Sequence, residues 1–128
     1  MKPTDFLSIA GRLPAQAITG ATNTASVDMA NLRGVAAVCV VGAATTPPSF
    51  TIQSSADNAA FANITGKSIG SIAANSEGVI NIRDEDLPAG HRWIRAVVNG
   101  NATVAVVFIG TSARANPPEK LASTTIVD

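Results

Sequence analysis

Two runs of small and β-branched residues, Val35 to Val41 and Val104 to Ile109, limit what this chain can fold into. Valine and isoleucine are stiff at χ1 and pack well on a pleated surface, so both runs favour strands. A strand in an antiparallel sheet normally turns one face to water and alternates apolar with polar residues. These two runs do not alternate. Their outer face is therefore either covered by a loop or occupied by another subunit. No sustained helical periodicity occurs elsewhere in the chain. Short candidate strands follow one another with turn formers between them, the pattern of an antiparallel sandwich or barrel.

Ile18 with its neighbours and Ala25 to Met29 are candidate first and second strands. The run Val35 to Val41 is predicted to end at Gly42, with a loop from Ala43 to Pro48. Phe50 to Ser54 alternates, which places Phe50, Ile52 and Ser54 on one face and Thr51 and Gln53 on the other. Phe61 to Ile64, Ile69 to Ile72 and Val79 to Ile82 are further short candidates. Trp93 to Val98 and Thr103 to Ile109 flank Asn99-Gly100-Asn101. Asn-Gly readily supplies the positive φ angles of a tight turn, so these two strands are expected to form a hairpin. In the first of them Trp93 and Arg95 share one face, and Ile94, Ala96 and Val98 share the other. If the aliphatic face is the core, Trp93 and Arg95 point outward, and both residue types are enriched at binding hot spots.

At 128 residues the chain suits one domain, and 46% apolar residues with only 4% aromatics imply a core of Val, Ile, Leu and Ala. Charged residues reach 14%, against an ordinary level of about 25%. Such a neutral surface suits coverage by partners. Nine basic residues balance nine acidic ones, so nothing would draw a nucleic-acid backbone or an anionic membrane from a distance. The longest apolar stretch, Val35 to Ala44, is about half of what a membrane-spanning helix needs. Lys2 and the apolar residues from Phe6 mimic a secretion signal, but Pro3, Asp5, Gly11, Arg12 and Pro14 interrupt it, and no signal peptide is expected. Cys39 is the one cysteine, which excludes an intrachain disulfide or a cysteine-based zinc site and points to a small buried hydrophobe.

The ends differ from the middle. Residues 1–15 carry Pro3 and Pro14 with apolar anchors Phe6, Leu7, Ile9 and Leu13, and residues 111–128 carry Pro117 and Pro118 with anchors Leu121, Ile126 and Val127. Neither has a periodic face, and proline resists sheet interiors. The expected organisation is an extended N-terminal arm over 1–15, a β-sandwich over 16–110 and an extended C-terminal arm over 111–128. Arms of this kind commonly dock their anchors on a neighbouring subunit.

Little in the chain could run chemistry. His91 is the only histidine, and no Gly-x-Ser-x-Gly elbow accompanies it, so a structural histidine is the expectation. Asp84-Glu85-Asp86 lacks the alternating spacing of a calcium loop and is read as a solvated turn. No phosphate loop, dinucleotide fingerprint or histidine pair occurs. No enzyme, no cofactor and no metal are expected.

Phe50-Thr51-Ile52-Gln53-Ser54-Ser55-Ala56-Asp57, continued by Phe61-Ala62-Asn63-Ile64, resembles the strand, Ser, Asp, turn, aromatic, strand phrase of discoidin-type jelly rolls. His91-Arg92-Trp93-Ile94-Arg95 is similar to a later strand of the same pattern. Similar phrases occur in bacteriophage capsid decoration, or cement, proteins. The resemblance covers the central half of the chain. It implies a jelly-roll-like β-sandwich on the outer surface of a virion, bridging major capsid protein subunits as a homotrimer. No array of sugar-binding residues carries over from it.

The expected function is thus capsid decoration, with Phe6, Leu7, Ile9, Leu13, Trp93, Arg95, Leu121, Ile126 and Val127 as interface residues. The alternative is a carbohydrate-binding β-sandwich module or a tail or fibre component. An exposed Trp93 beside a groove would favour that alternative, since an aromatic ring can stack on a sugar.

Overall fold

The computed structural model describes Pro3 and residues 6–112. Six strands run in the order β1 (Leu7–Asn23), β2 (Val27–Asp28), β3 (Leu32–Ser55), β4 (Ala62–Ile69), β5 (Glu77–Arg83) and β6 (Trp93–Ser112). All pairings are antiparallel. Strand β6 lies between β1 and β3, β2 adds to β6, and β3 also pairs with β4 and β5.

Three of these strands are long enough to serve both layers of a sandwich. Along β3 and β6 the register runs from Leu32↔Ser112 to Ser55↔Trp93, broken between Val41 and Ser49. Pro47 and Pro48 lie in that break, where a residue without an N–H interrupts the ladder. Strand β1 is irregular on either side of Pro14, between Leu13 and Gln16. Beyond this waist the sheet folds over. One layer holds the start of β1, the end of β6, the start of β3, and β5. The other holds the end of β1, the start of β6, the end of β3, β4 and β2. Contact between inner faces is direct at Gly11, where a Cβ would sit 2.5 Å from Val27 Cγ2 and 3.2 Å from the Phe108 ring. The β4–β5 connection is tied to the waist by Ile72 N–H donating to Pro48 O and Asn75 N–H donating to Gly42 O, both at 2.9 Å.

The fold is an all-β antiparallel sandwich with one apolar core. Inward positions of β3 and β6 are apolar on both sides of the waist: Ala37, Cys39 and Val41, then Phe50 and Ile52, against Val104, Val106 and Phe108, then Ile94, Ala96 and Val98. Burying the valine, isoleucine and phenylalanine side chains among them supplies roughly 1.5–3 kcal/mol each. Cys39 is fully buried, and burial pushes its thiol up to about 11.

Several expectations change. Asn99-Gly100-Asn101 is not a hairpin turn but the middle of β6, with Gly100 opposite Gly20 and Asn101 opposite Thr46. Asn-Gly permits a turn without requiring one. Here the glycine admits the β3 backbone, since a Cβ on Gly100 would lie 2.7 Å from Pro48 Cα and 2.9 Å from Thr46 O. Residues 7–15 are not a separate arm. They belong to β1 and pair with β6 from Leu7↔Thr111 onward, so a boundary at residue 15 falls inside a strand. Pro14 is accommodated at the register shift rather than ending the strand. Finally, Ala43 to Pro48 is an irregular stretch of β3 rather than a loop between two strands.

Candidate functional site

The two outer faces of the sandwich differ in chemistry. On the layer with β4, outward positions of three adjacent strands carry Asn63 (β4), Gln53 (β3) and Arg95 (β6), aligned by the registers Gln53↔Asn63 and Gln53↔Arg95. Their side chains form a continuous ladder. Arg95 Nε donates to Gln53 Oε1 at 2.9 Å, and Gln53 Nε2 donates to Asn63 Oδ1 at 3.0 Å. The ladder spans two strand spacings, about 10 Å.

Phe61 supports it. The segment after β3 turns back over the outer face with Asn58 in the left-handed region, φ 59°. Asp57 pins this turn by accepting hydrogen bonds from the Ala59 and Ala60 N–H groups and the Ser55 hydroxyl, which hold its carboxyl down at about 2. The turn brings the Phe61 ring 4.2 Å from the Arg95 guanidinium carbon. A cation over an aromatic face fixes the guanidinium plane.

Trp93 is one outward position from Arg95 on β6 and is half-buried. Arg92 lies 5.2 Å over its ring and is tethered to Asp28 of β2 by two hydrogen bonds, from Nε at 2.7 Å and from Nη2. The Arg92 guanidinium bonded to it holds the Asp28 carboxyl below its ordinary range, and Asp28 in turn raises Arg92. Trp93 is therefore a wall at one end of the ladder, not an open platform. His91 turns inward instead, its Nδ1 hydrogen-bonded at 2.7 Å to the buried hydroxyl of Ser54.

The opposite outer face is aliphatic. In register across it lie Ile109 beside Ala36, Val107 beside Val38, and Ala105 beside Val40. Ile9 on β1 and Val79 on β5 extend these rows outward. Val40 and Val79 are 49% and 52% exposed, so among the described residues no loop covers this face.

Of the residues singled out from sequence, Trp93 and Arg95 share the polar face as their alternation required. Leu7 and Ile9 are half-buried on β1, and Phe6, just before it, is 46% exposed. Leu13 is corrected: it is 7% exposed in the core of its own sandwich and is not an interface anchor. Leu121, Ile126 and Val127 lie outside the described residues. Gln53, Asn63, Phe61, Arg92 and Asp28 were not singled out. Outward parity of Gln53 was visible, but its register with Arg95, 42 residues away, was not.

Asp84-Glu85-Asp86 forms a 3-10 turn in which Asp86 accepts from the Arg83 N–H at 2.8 Å and pairs with Lys67 at 3.1 Å, while Glu85 pairs with Arg83 at 3.0 Å. Among the described residues no group of three or more His, Cys, Asp or Glu side chains could hold a metal ion. Among the described residues, two shallow depressions lie away from the ladder. One of about 270 Å³ lies at the waist beside Ala17, Ala44 and Asn101. The other, of about 330 Å³, lies at the rim of the aliphatic face beside Leu7, Ala36 and Ile109.

No protein-family model matches this chain, and no curated protein matches it by sequence. Among solved structures it is similar to TmCBM61, solved in complex with β-1,4-galactotriose, at 10% identity and a TM-score of 0.43 over 75% of this chain. The match spans 66% of that chain. It is also similar to the low-affinity xylan-binding module CBM86 from Roseburia intestinalis, at 17% identity and a TM-score of 0.42, over 88% of this chain and 92% of that one.

Proposed function

We propose that this chain is a non-catalytic binding module that holds a carbohydrate chain across the outer face formed by β4, β3 and β6. The observation that carries this reading is the Asn63–Gln53–Arg95 ladder. Planar amide and guanidinium groups lie side by side, already oriented by each other and by Phe61. A ligand rich in hydroxyls needs donors and acceptors in fixed directions, and side chains ordered before binding lose less entropy on binding. Within the ladder Gln53 uses both ends of its amide, which leaves Asn63 Nδ2 and the Arg95 Nη groups to face a ligand. Trp93 and Arg92 close one end. Because the ladder lies on outward positions of three paired strands, the ligand it suits is an extended polymer lying on the sheet, not a small molecule enclosed in a pocket.

The test is calorimetric titration of the full chain with soluble xylan and β-1,4-galactan. Measurable binding to at least one is expected, weakened tenfold or more by Arg95→Ala and by Gln53→Ala. No binding to either polymer, or binding indifferent to both substitutions, would overturn the reading.

A second reading, as a part of a larger assembly such as a phage capsid surface, is favoured by the aliphatic outer face. The N-terminal segment no longer supports it, because residues 7–15 are bound into the sheet of their own chain. This reading expects association through the face that lacks the ladder.

A further inference from the structure

We propose that two copies of this chain pack face to face through the aliphatic outer face of the layer formed by β1, β6, β3 and β5, about a two-fold axis parallel to the strands. The middle row of that face reads Arg12, Val107, Val38, Val79 across the four strands. Glu77 is the next outward residue on β5, beside Val40. The aliphatic centre is thus flanked by an exposed cation on the β1 edge and an exposed anion on the β5 edge. A two-fold axis along the strands lays β1 of one copy over β5 of the other. Arg12 then faces Val79 of the second copy, with Glu77 one outward position away, about 7 Å. Both ends of the contact gain the same opposite-charge pair, as a self-complementary interface requires. Zero formal net charge means that the copies do not repel at a distance.

The contact is small. Three rows on four strands cover about 400 Å² of sheet plane, roughly half of the 800 Å² per partner in a standard stable interface. A reversible dimer is expected, not a permanent one. This inference does not depend on what the opposite face binds.

Sedimentation equilibrium on the full chain is the test. A single monomer–dimer equilibrium is expected, with Val79→Lys and Val40→Lys each weakening it at least tenfold. Both sites are half-exposed, so thermal unfolding of these variants should match the parent and show that they are folded. Ser68→Lys, on exposed β4, should leave the equilibrium unchanged. Arg12→Glu should weaken it severalfold, and adding Glu77→Arg should restore it. A chain that stays monomeric to about 500 μM, a dimer that survives Val79→Lys, open-ended association, or a charge swap that restores nothing would each overturn the proposal.

Discussion

The two outer faces share strands β1, β3 and β6 and yet differ in chemistry. Strand β3 shows Ala36, Val38 and Val40 outward before the waist, then Thr51 and Gln53 after it. Strand β6 does the reverse, with Trp93 and Arg95 first and Ala105, Val107 and Ile109 later. Inward residues of both strands are apolar on either side of the waist, with buried Ser54 and Ser55 at the end of β3 the polar exceptions. The fold therefore dictates the inner positions, whereas the outer ones change character wherever the strand crosses from one layer to the other. What an outward residue is made of reports what it meets, not what holds the sheet together.

Substitutions can separate what the two faces share from what each owns. The largest effect is expected at the shared core. Phe108→Ala empties a fully buried ring site and should cost about 3–5 kcal/mol, lowering the thermal midpoint and impairing both faces together. Next comes the waist. Gly100→Ala would force a methyl against the Pro48 and Thr46 backbone, which has no rotamer to yield, so a loss of about 1–3 kcal/mol in chemical unfolding is expected. Smaller still should be the effect of face-specific changes on stability: Gln53→Ala and Val79→Lys should each shift it by less than about 0.5 kcal/mol. A large stability loss in either would mean that the faces are not independent of the core.

The smallest expected effect is a titration confined to one turn. The Asp57 carboxyl is held down at about 2 by the Ala60, Ala59 and Ser55 hydrogen bonds, so its contribution is present above the ordinary value near 3.8 and lost as pH falls through about 2. The Ala59 and Ala60 amide resonances should shift with a midpoint near 2, and Asp57→Asn should abolish that midpoint. A midpoint near 3.8 would show that the turn beneath Phe61 is not pinned as described.

Much of the fold could be read from residue order alone. The alternation at Phe50–Ser54 and Trp93–Val98 set inward and outward sides correctly, because one face of each had to be apolar. The unbroken runs Val35–Val41 and Val104–Ile109 announced a sheet with an apolar outer side, and the two prove to be neighbours. What misled was local punctuation. Asn-Gly and Pro-Pro normally mark turns, but in strands that bend across two layers they mark the bend. That also hid β1, whose Pro14 sits at a register shift and whose partner is some ninety residues away. The ladder escaped for a related reason. Each member was ordinary in its own strand, and only pairing across β4, β3 and β6 joins them.

Strands β1, β3 and β6 each run through both layers, so continuous strands, not merely contact across a greasy seam, join the layers. Neither sheet can slide or peel off alone, and no single cut would release one intact. Whatever grips one side of this protein is thereby held at a set distance and angle from whatever grips the other, as by a short, stiff rivet.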